Sequence, residues 1–193
     1  MKKLLIAISL AFYASCASMD AHFDVNGVTQ KPRKILIGRV ESRTLNYNPY
    51  AIINFRDSLR FEFFKRGYNS ELLPAEHWKS SEPVLRDEAG IKNSDALNSQ
   101  KNRGWYAEPN SESIKAYCEK YVVDVFIFGA ISESEIGDFG STRISTLVAL
   151  LLYEKSGKKI GEIRYTTSDS TSDAAVIHDI SKALVSKIHA EFR

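Results

Sequence analysis

Apolar residues return along this chain in two rhythms, and each change of rhythm marks a new element. Lys34 to Val40 (KILIGRV) is a short apolar run that reads as a strand. Asn48-Pro49 then opens a helix, since Asn is a favoured N-cap and Pro suits the first helical turn. Ile52, Phe55, Leu59 and Phe63 recur at helical spacing and form its buried stripe. Lys65 and Arg66 suit the negative end of the helix dipole, and Gly67 suits a C′ position. Tyr68 to Leu73 (YNSELL) is a second strand. A helix capped by Asn110 or Ser111 follows, with Ile114, Tyr117, Cys118 and Tyr121 on its buried side. Asp124 to Ser132 (DVFIFGAIS) and Thr142 to Glu154 (TRISTLVALLLYE) are strands, joined through a loop at residues 136–141. The second is apolar on both faces over Leu147 to Leu152, which predicts a central strand covered on both sides. Lys155-Ser156-Gly157-Lys158 makes a hairpin turn into Lys159 to Thr167. Ser172 or Asp173 starts a last helix with the stripe Ile177, Ile180, Leu184 and Ile188. The order is β-α-β-(insertion)-α-β-β-β-α. It predicts an α/β fold, an α+β sandwich with a mixed sheet of about five strands and helices packed on it.

Three stretches fall outside this rhythm. Lys2 and Lys3 precede about ten mostly apolar residues, Leu4 to Tyr13, the layout of a signal peptide over residues 1–15. That core is shorter than the ~20 residues a membrane-spanning helix needs. Ala14-Ser15-Cys16 resembles the bacterial lipobox, with Tyr13 where Leu is usual, as in permissive boxes such as those of spirochaetes. The resemblance implies lipidation at Cys16, and Ala17 after it, in place of a retention-marking Asp, favours the outer membrane. Residues 16–33 are polar, contain Gly27 and Pro32, and read as a lipidated tether ahead of a single domain over 34–193. Residues 74–110 are polar and broken by Gly and Pro; they read as a surface insertion with short helices expected near 84–89 and 94–100.

Charge and cysteine content narrow the partners. The chain holds 26 Lys and Arg against 24 Asp and Glu. Lys2 and Lys3 account for the whole excess, so a cleaved protein is balanced and offers no basic surplus for nucleic acid. Of the two cysteines, an acylated Cys16 leaves Cys118 alone, so no internal disulfide forms.

The segments INFRDSLRFEFFKRGYNSELL, AEPNSESIKAYCEKYVVDVFIFGAIS and YEKSGKKIGEIRY carry a family resemblance. Their order of helix, strand, helix, strand and hairpin resembles the periplasmic domain of curli-secretion-channel lipoproteins and the amino-terminal domain of the Tol-system translocation protein. It covers most of residues 34–192. It implies helices on a mixed sheet and assembly or scaffolding in the envelope, often by oligomerisation, and it carries over no catalytic residue.

Candidate chemistry is sparse. His22, His77, His178 and His189 have no second ligand at zinc spacing, so no metal is expected. Glu133, Glu135 and Asp138 read as a solvated strand end, and the run TTSDSTSDAA as a strand exit and helix cap. No Gly-x-Ser-x-Gly element or dinucleotide loop accompanies them, so neither a nucleophile nor a cofactor is expected. Trp78, Trp105 and Tyr106 form an aromatic group within the polar insertion; it is either a binding surface or a means of pinning the insertion to the domain. The leading expectation is a non-enzymatic, lipid-anchored envelope protein that binds envelope proteins or self-associates. A surface lipoprotein binding host or environmental ligands comes second, and an enzyme acting on envelope polymers last.

Overall fold

The run from Val148 to Tyr153 is buried on both faces, so the strand that holds it needs a covering layer on each side. A computed structural model, which describes residues 17–24, 31–42, 49–74, 109–136 and 143–192, supplies both layers. In chain order the elements are β1 (Ser18–Phe23), β2 (Lys34–Ser42), α1 (Pro49–Lys65), β3 (Asn69–Leu72), α2 (Ser111–Tyr121), β4 (Val125–Ile136), β5 (Arg143–Glu154), β6 (Lys159–Thr167) and α3 (Ala174–Glu191). The strands form one mixed six-stranded sheet in the order β1-β6-β5-β4-β2-β3. β2 runs parallel to β3 and β4, and the remaining pairs are antiparallel.

Alternation along β4 and β5 sorts the core into two clusters. Ile127, Ile131, Val148, Leu150 and Leu152 face one way, against α1 and α3. Phe126, Phe128, Ala149, Leu151 and Tyr153 face the other way, with Ile114 and Cys118 of α2. Ile52, Phe55, Leu59 and Phe63 bury the expected stripe of α1, and Ile177, Ile180, Leu184 and Ile188 that of α3. The α/β class and the mixed sheet are as the pattern predicts. The expected strand count of about five becomes six because Ser18–Phe23, within the stretch read as a tether, pairs with β6. Met19, Ala21 and Phe23 alternate toward the core, and the Phe23 ring covers Gly161, where a Cβ would come within 2.4 Å of it. Lys158 Nζ, 2.9 Å from Asp24 Oδ2, fastens the end of this strand.

Local signals fix the ends of the helices. Asn110 Oδ1 accepts from the Glu112 N–H at 2.8 Å, and Asp173 Oδ1 from the Ala175 N–H at 2.8 Å, so Asn110 and Asp173 are the caps. Gly67, at φ 82°, turns the chain out of α1. The Asp124 carboxylate accepts from the N–H groups of Arg33 and Lys34, at 2.8 and 3.0 Å, and locks the start of β2 beside β4. The Arg56 guanidinium donates to the carbonyls of Leu73 (2.7 Å) and Ile37 (3.3 Å), tying α1 to the point where the pairing of β2 with β3 ends. Burial lowers its pKa to about 10, so it stays charged at neutral pH.

The roll of α1 is set by one carboxylate. Glu62 is fully buried, and Lys65 and Arg66 donate to it at 2.8 and 2.7 Å. Arg66 also donates to Ser186 of α3, and His178 Nε2 of α3 lies 3.8 Å from the same carboxylate. Burial pushes the Glu62 pKa up, but the two cations outweigh it and hold the group below its ordinary 4.5. The pair therefore stabilises the fold above that value and ceases to do so as pH falls through the lower folded pKa. Glu62→Gln should cost about 1–3 kcal/mol in urea unfolding at pH 7, because it strands Arg66 at the helix interface. The gap between the two proteins should close progressively below pH 4.5; a cost that does not change with pH would contradict the role given to the charge.

Candidate interaction face

With Glu62 turned inward, the opposite side of α1 points to solvent. Tyr50, Ile53, Phe61 and Phe64 are 71, 51, 54 and 71% exposed. Their spacing puts all four on one stripe, with Asp57 and Arg60 between them. Arg60 Nη2 lies 3.6 Å from Asp57 Oδ1, and Lys65 Nζ sits 5.4 Å from the centre of the Phe61 ring. Large exposed apolar groups scattered singly are ordinary, but four gathered on one helix face make a candidate interaction surface. Among the described residues the exposed large apolar side chains are these four and Val122, so the patch is confined to one helix face.

The residues singled out for chemistry read differently in three dimensions. Glu133 is a correction to the solvated strand end expected of it. Its carboxylate accepts from the Thr171 N–H (2.8 Å), the Thr171 hydroxyl (2.7 Å) and the Ser170 hydroxyl (3.0 Å). The Thr146 hydroxyl adds a longer contact at 3.4 Å. The acidic stretch and the Ser-Thr run thus meet, and β4 holds the loop that leads into α3. Burial pushes the Glu133 pKa up, but the bonds from Thr171, Ser170 and Thr146 outweigh it and keep the carboxyl below its ordinary 4.5. A carboxylate held by four hydroxyl and amide contacts has the geometry of a latch.

Cys118 is buried in the α2-side core, as its spacing predicts. Burial is the main cause that lifts its thiol pKa to about 11, which keeps it protonated and unreactive. Beside it an open hollow of about 460 Å³ is lined by Lys115, Glu119, Lys155 and Val122. Val122 is itself left-handed at φ 52°, where it closes the C-terminal end of α2 through hydrogen bonds to the carbonyls of Cys118 and Glu119. His22 is exposed on β1, and His189 pairs with the Tyr68 hydroxyl at 2.9 Å. Among the described residues no group of His, Cys, Asp or Glu could hold a metal ion, and no helix is long and apolar enough to cross a membrane. Cys16, His77, Asp138, Trp78, Trp105 and Tyr106 lie outside the described residues, as do the expected cap Asn48 and the helices near 84–89 and 94–100.

Comparison with known proteins adds the fold. No protein-family model matches the chain, and no curated relative matches it. Solved structures are similar to it at low identity. The PelC dodecamer from Paraburkholderia phytofirmans is 10% identical over 90% of this chain and 97% of that one, with a TM-score of 0.56. Lipoprotein GNA1162 from Neisseria meningitidis is 14% identical over 81% of this chain and 98% of that one, at 0.43. The LpoB C-terminal domain from Salmonella enterica is 13% identical over 75% of this chain and 87% of that one, at 0.43. These are other proteins than the curli-channel and Tol domains expected from the sequence, and what is shared with PelC is the fold.

If Glu133 is a latch, Glu133→Gln should leave the global unfolding midpoint nearly in place. Amide exchange at Thr171 should accelerate by about tenfold, the loss of a charged acceptor from one loop. An unchanged Thr171 rate would remove the latch.

Proposed function

We propose that this protein is a lipid-anchored envelope protein with a non-catalytic assembly role, and that its domain self-associates through the outward face of α1. The observation that carries the reading is the stripe Ile53, Phe61 and Phe64, extended by Tyr50, exposed on a helix whose other side is fully used in the core. A soluble domain that never covered such a face would keep an aggregation liability at no gain. Self-association is supported by the fold shared with PelC, a protein solved as a dodecamer.

The lipobox-like Ala14-Ser15-Cys16 supports anchoring at Cys16. A diacylglyceryl thioether with an N-acyl group gives several chains, enough for stable attachment. The outer membrane is favoured by Ala17 at the following position. Ser18, the first residue of β1, follows Cys16 by two positions, a span of at most ~7 Å. So short a link would hold every copy close to the same surface and raise the effective concentration of one α1 face for another.

Two variants test the two halves separately. Cys16→Ala should move the protein from the membrane fraction to the soluble envelope fraction; retention would sink the anchor. Phe61→Ser with Phe64→Ser should reduce the detergent-solubilised assembly to single chains in sedimentation velocity. Because both side chains are exposed, unfolding free energy should change by less than about 0.5 kcal/mol. An unchanged assembly would place self-association on another surface.

A further inference from the structure

The stripe on α1 is symmetric about Asp57. Tyr50 and Phe64 stand seven residues either side of it, Ile53 and Phe61 four, and Asn54 and Arg60 three. We infer that the occupant of this face is the α1 of a second copy, packed antiparallel about a two-fold axis that passes at Asp57. The inference rests on the self-association proposed above and names its geometry.

An isologous contact requires that a surface complement itself, and the order of apolar and charged residues on this one does so. In the antiparallel register Tyr50 of one copy meets Phe64 of the other, and Ile53 meets Phe61, so four apolar pairs flank the axis. Helices packed in this way sit 8–10 Å apart, within contact range of Phe and Ile side chains. At the axis the two Asp57 carboxylates approach each other. Arg60, one turn away and 3.6 Å from its own Asp57, lies where it bridges to the partner's carboxylate as well. The two acids and two guanidiniums sum to zero charge, so the apolar pairs close over a neutral centre. Both arrangements bring the two Asp57 side chains together, but the antiparallel register sets Arg60 opposite Asn54, whereas a parallel one sets Arg60 opposite Arg60 and Tyr50 opposite Tyr50, which adds a like-charge pair. Glu62 and Arg66 point to α3 and take no part, so the contact leaves the fold of each copy unchanged.

The test uses the full lipidated chain in detergent. Chains carrying Tyr50→Cys are mixed with chains carrying Phe64→Cys and treated with a short thiol crosslinker; Cys118 is buried. The antiparallel contact yields links between a Tyr50→Cys chain and a Phe64→Cys chain, and few links between two Tyr50→Cys chains. In parallel, Asp57→Arg should weaken assembly by about tenfold or more through four facing guanidiniums. The exchange Asp57→Arg with Arg60→Asp should restore it to within about threefold, because the charge pattern is again self-complementary. Links mainly between Tyr50→Cys chains, or an assembly indifferent to Asp57→Arg, overturn the antiparallel contact while self-association stands. Links from α1 only to another envelope protein overturn it in favour of a different occupant. A chain that is single at every concentration overturns both this inference and the reading beneath it.

Discussion

A sheet whose central strands are apolar on both faces must be covered on both faces, and the rest of this structure follows from that requirement. β5 buries Val148 to Tyr153 completely, and β4 matches it residue for residue across the antiparallel pair. One face takes α1 and α3, the other α2. The connections then have little choice. β2 enters parallel beside β4, and α1 carries the chain back over the sheet to β3. Arg56 ties that helix to the end of the β2–β3 pairing through the Ile37 and Leu73 carbonyls.

Covering the sheet uses one side of α1, and Glu62 decides which. A buried carboxylate that must keep its cations faces the α1–α3 seam, where Arg66 and Ser186 complete the set. Rotation of α1 about its axis would expose that network and leave Phe55, Leu59 and Phe63 without their cavities. The outward stripe is therefore held rigidly, which lowers the entropy lost when a partner docks. The same economy applies at the other end of the chain. β1 starts two residues after Cys16, so a lipid at that position reports directly on the edge of the sheet.

Much of the fold was legible because helical and strand periods coincide with burial. Ile52, Phe55, Leu59 and Phe63 in α1 and Ile177, Ile180, Leu184 and Ile188 in α3 needed only their spacing. Asp173 and Gly67 marked ends because their local chemistry is short-range. β1 was missed although Met19, Ala21 and Phe23 alternate, since a single edge strand of six residues in a polar stretch has too little apolar content to stand out. Glu133 was read as solvated because its partners are distant in sequence: Ser170 and Thr171 lie 37 and 38 residues away. The interaction face was missed for another reason. Helical spacing predicts what α1 buries, but apolar residues on its other side, Ile53, Phe61 and Phe64, carry no mark of their own that tells a covered face from a solvated one. The placement of Cys16 and of the aromatic group Trp78, Trp105 and Tyr106 stays an expectation of the sequence.

In the proposed assembly, a rigid α/β domain would carry a lipid anchor beside its first edge strand, and its outward helix face would meet a second copy at the membrane surface. The central claim is that the outward face of α1 is covered when the protein is at work. Hydroxyl-radical footprinting reads this directly, comparing intact cells with the purified chain diluted to single molecules. The account predicts that labelling of Phe61 and Phe64 falls severalfold in cells while that of Tyr117, on the far side of the sheet, is unchanged. Equal labelling of Phe61 and Phe64 in both settings would contradict it.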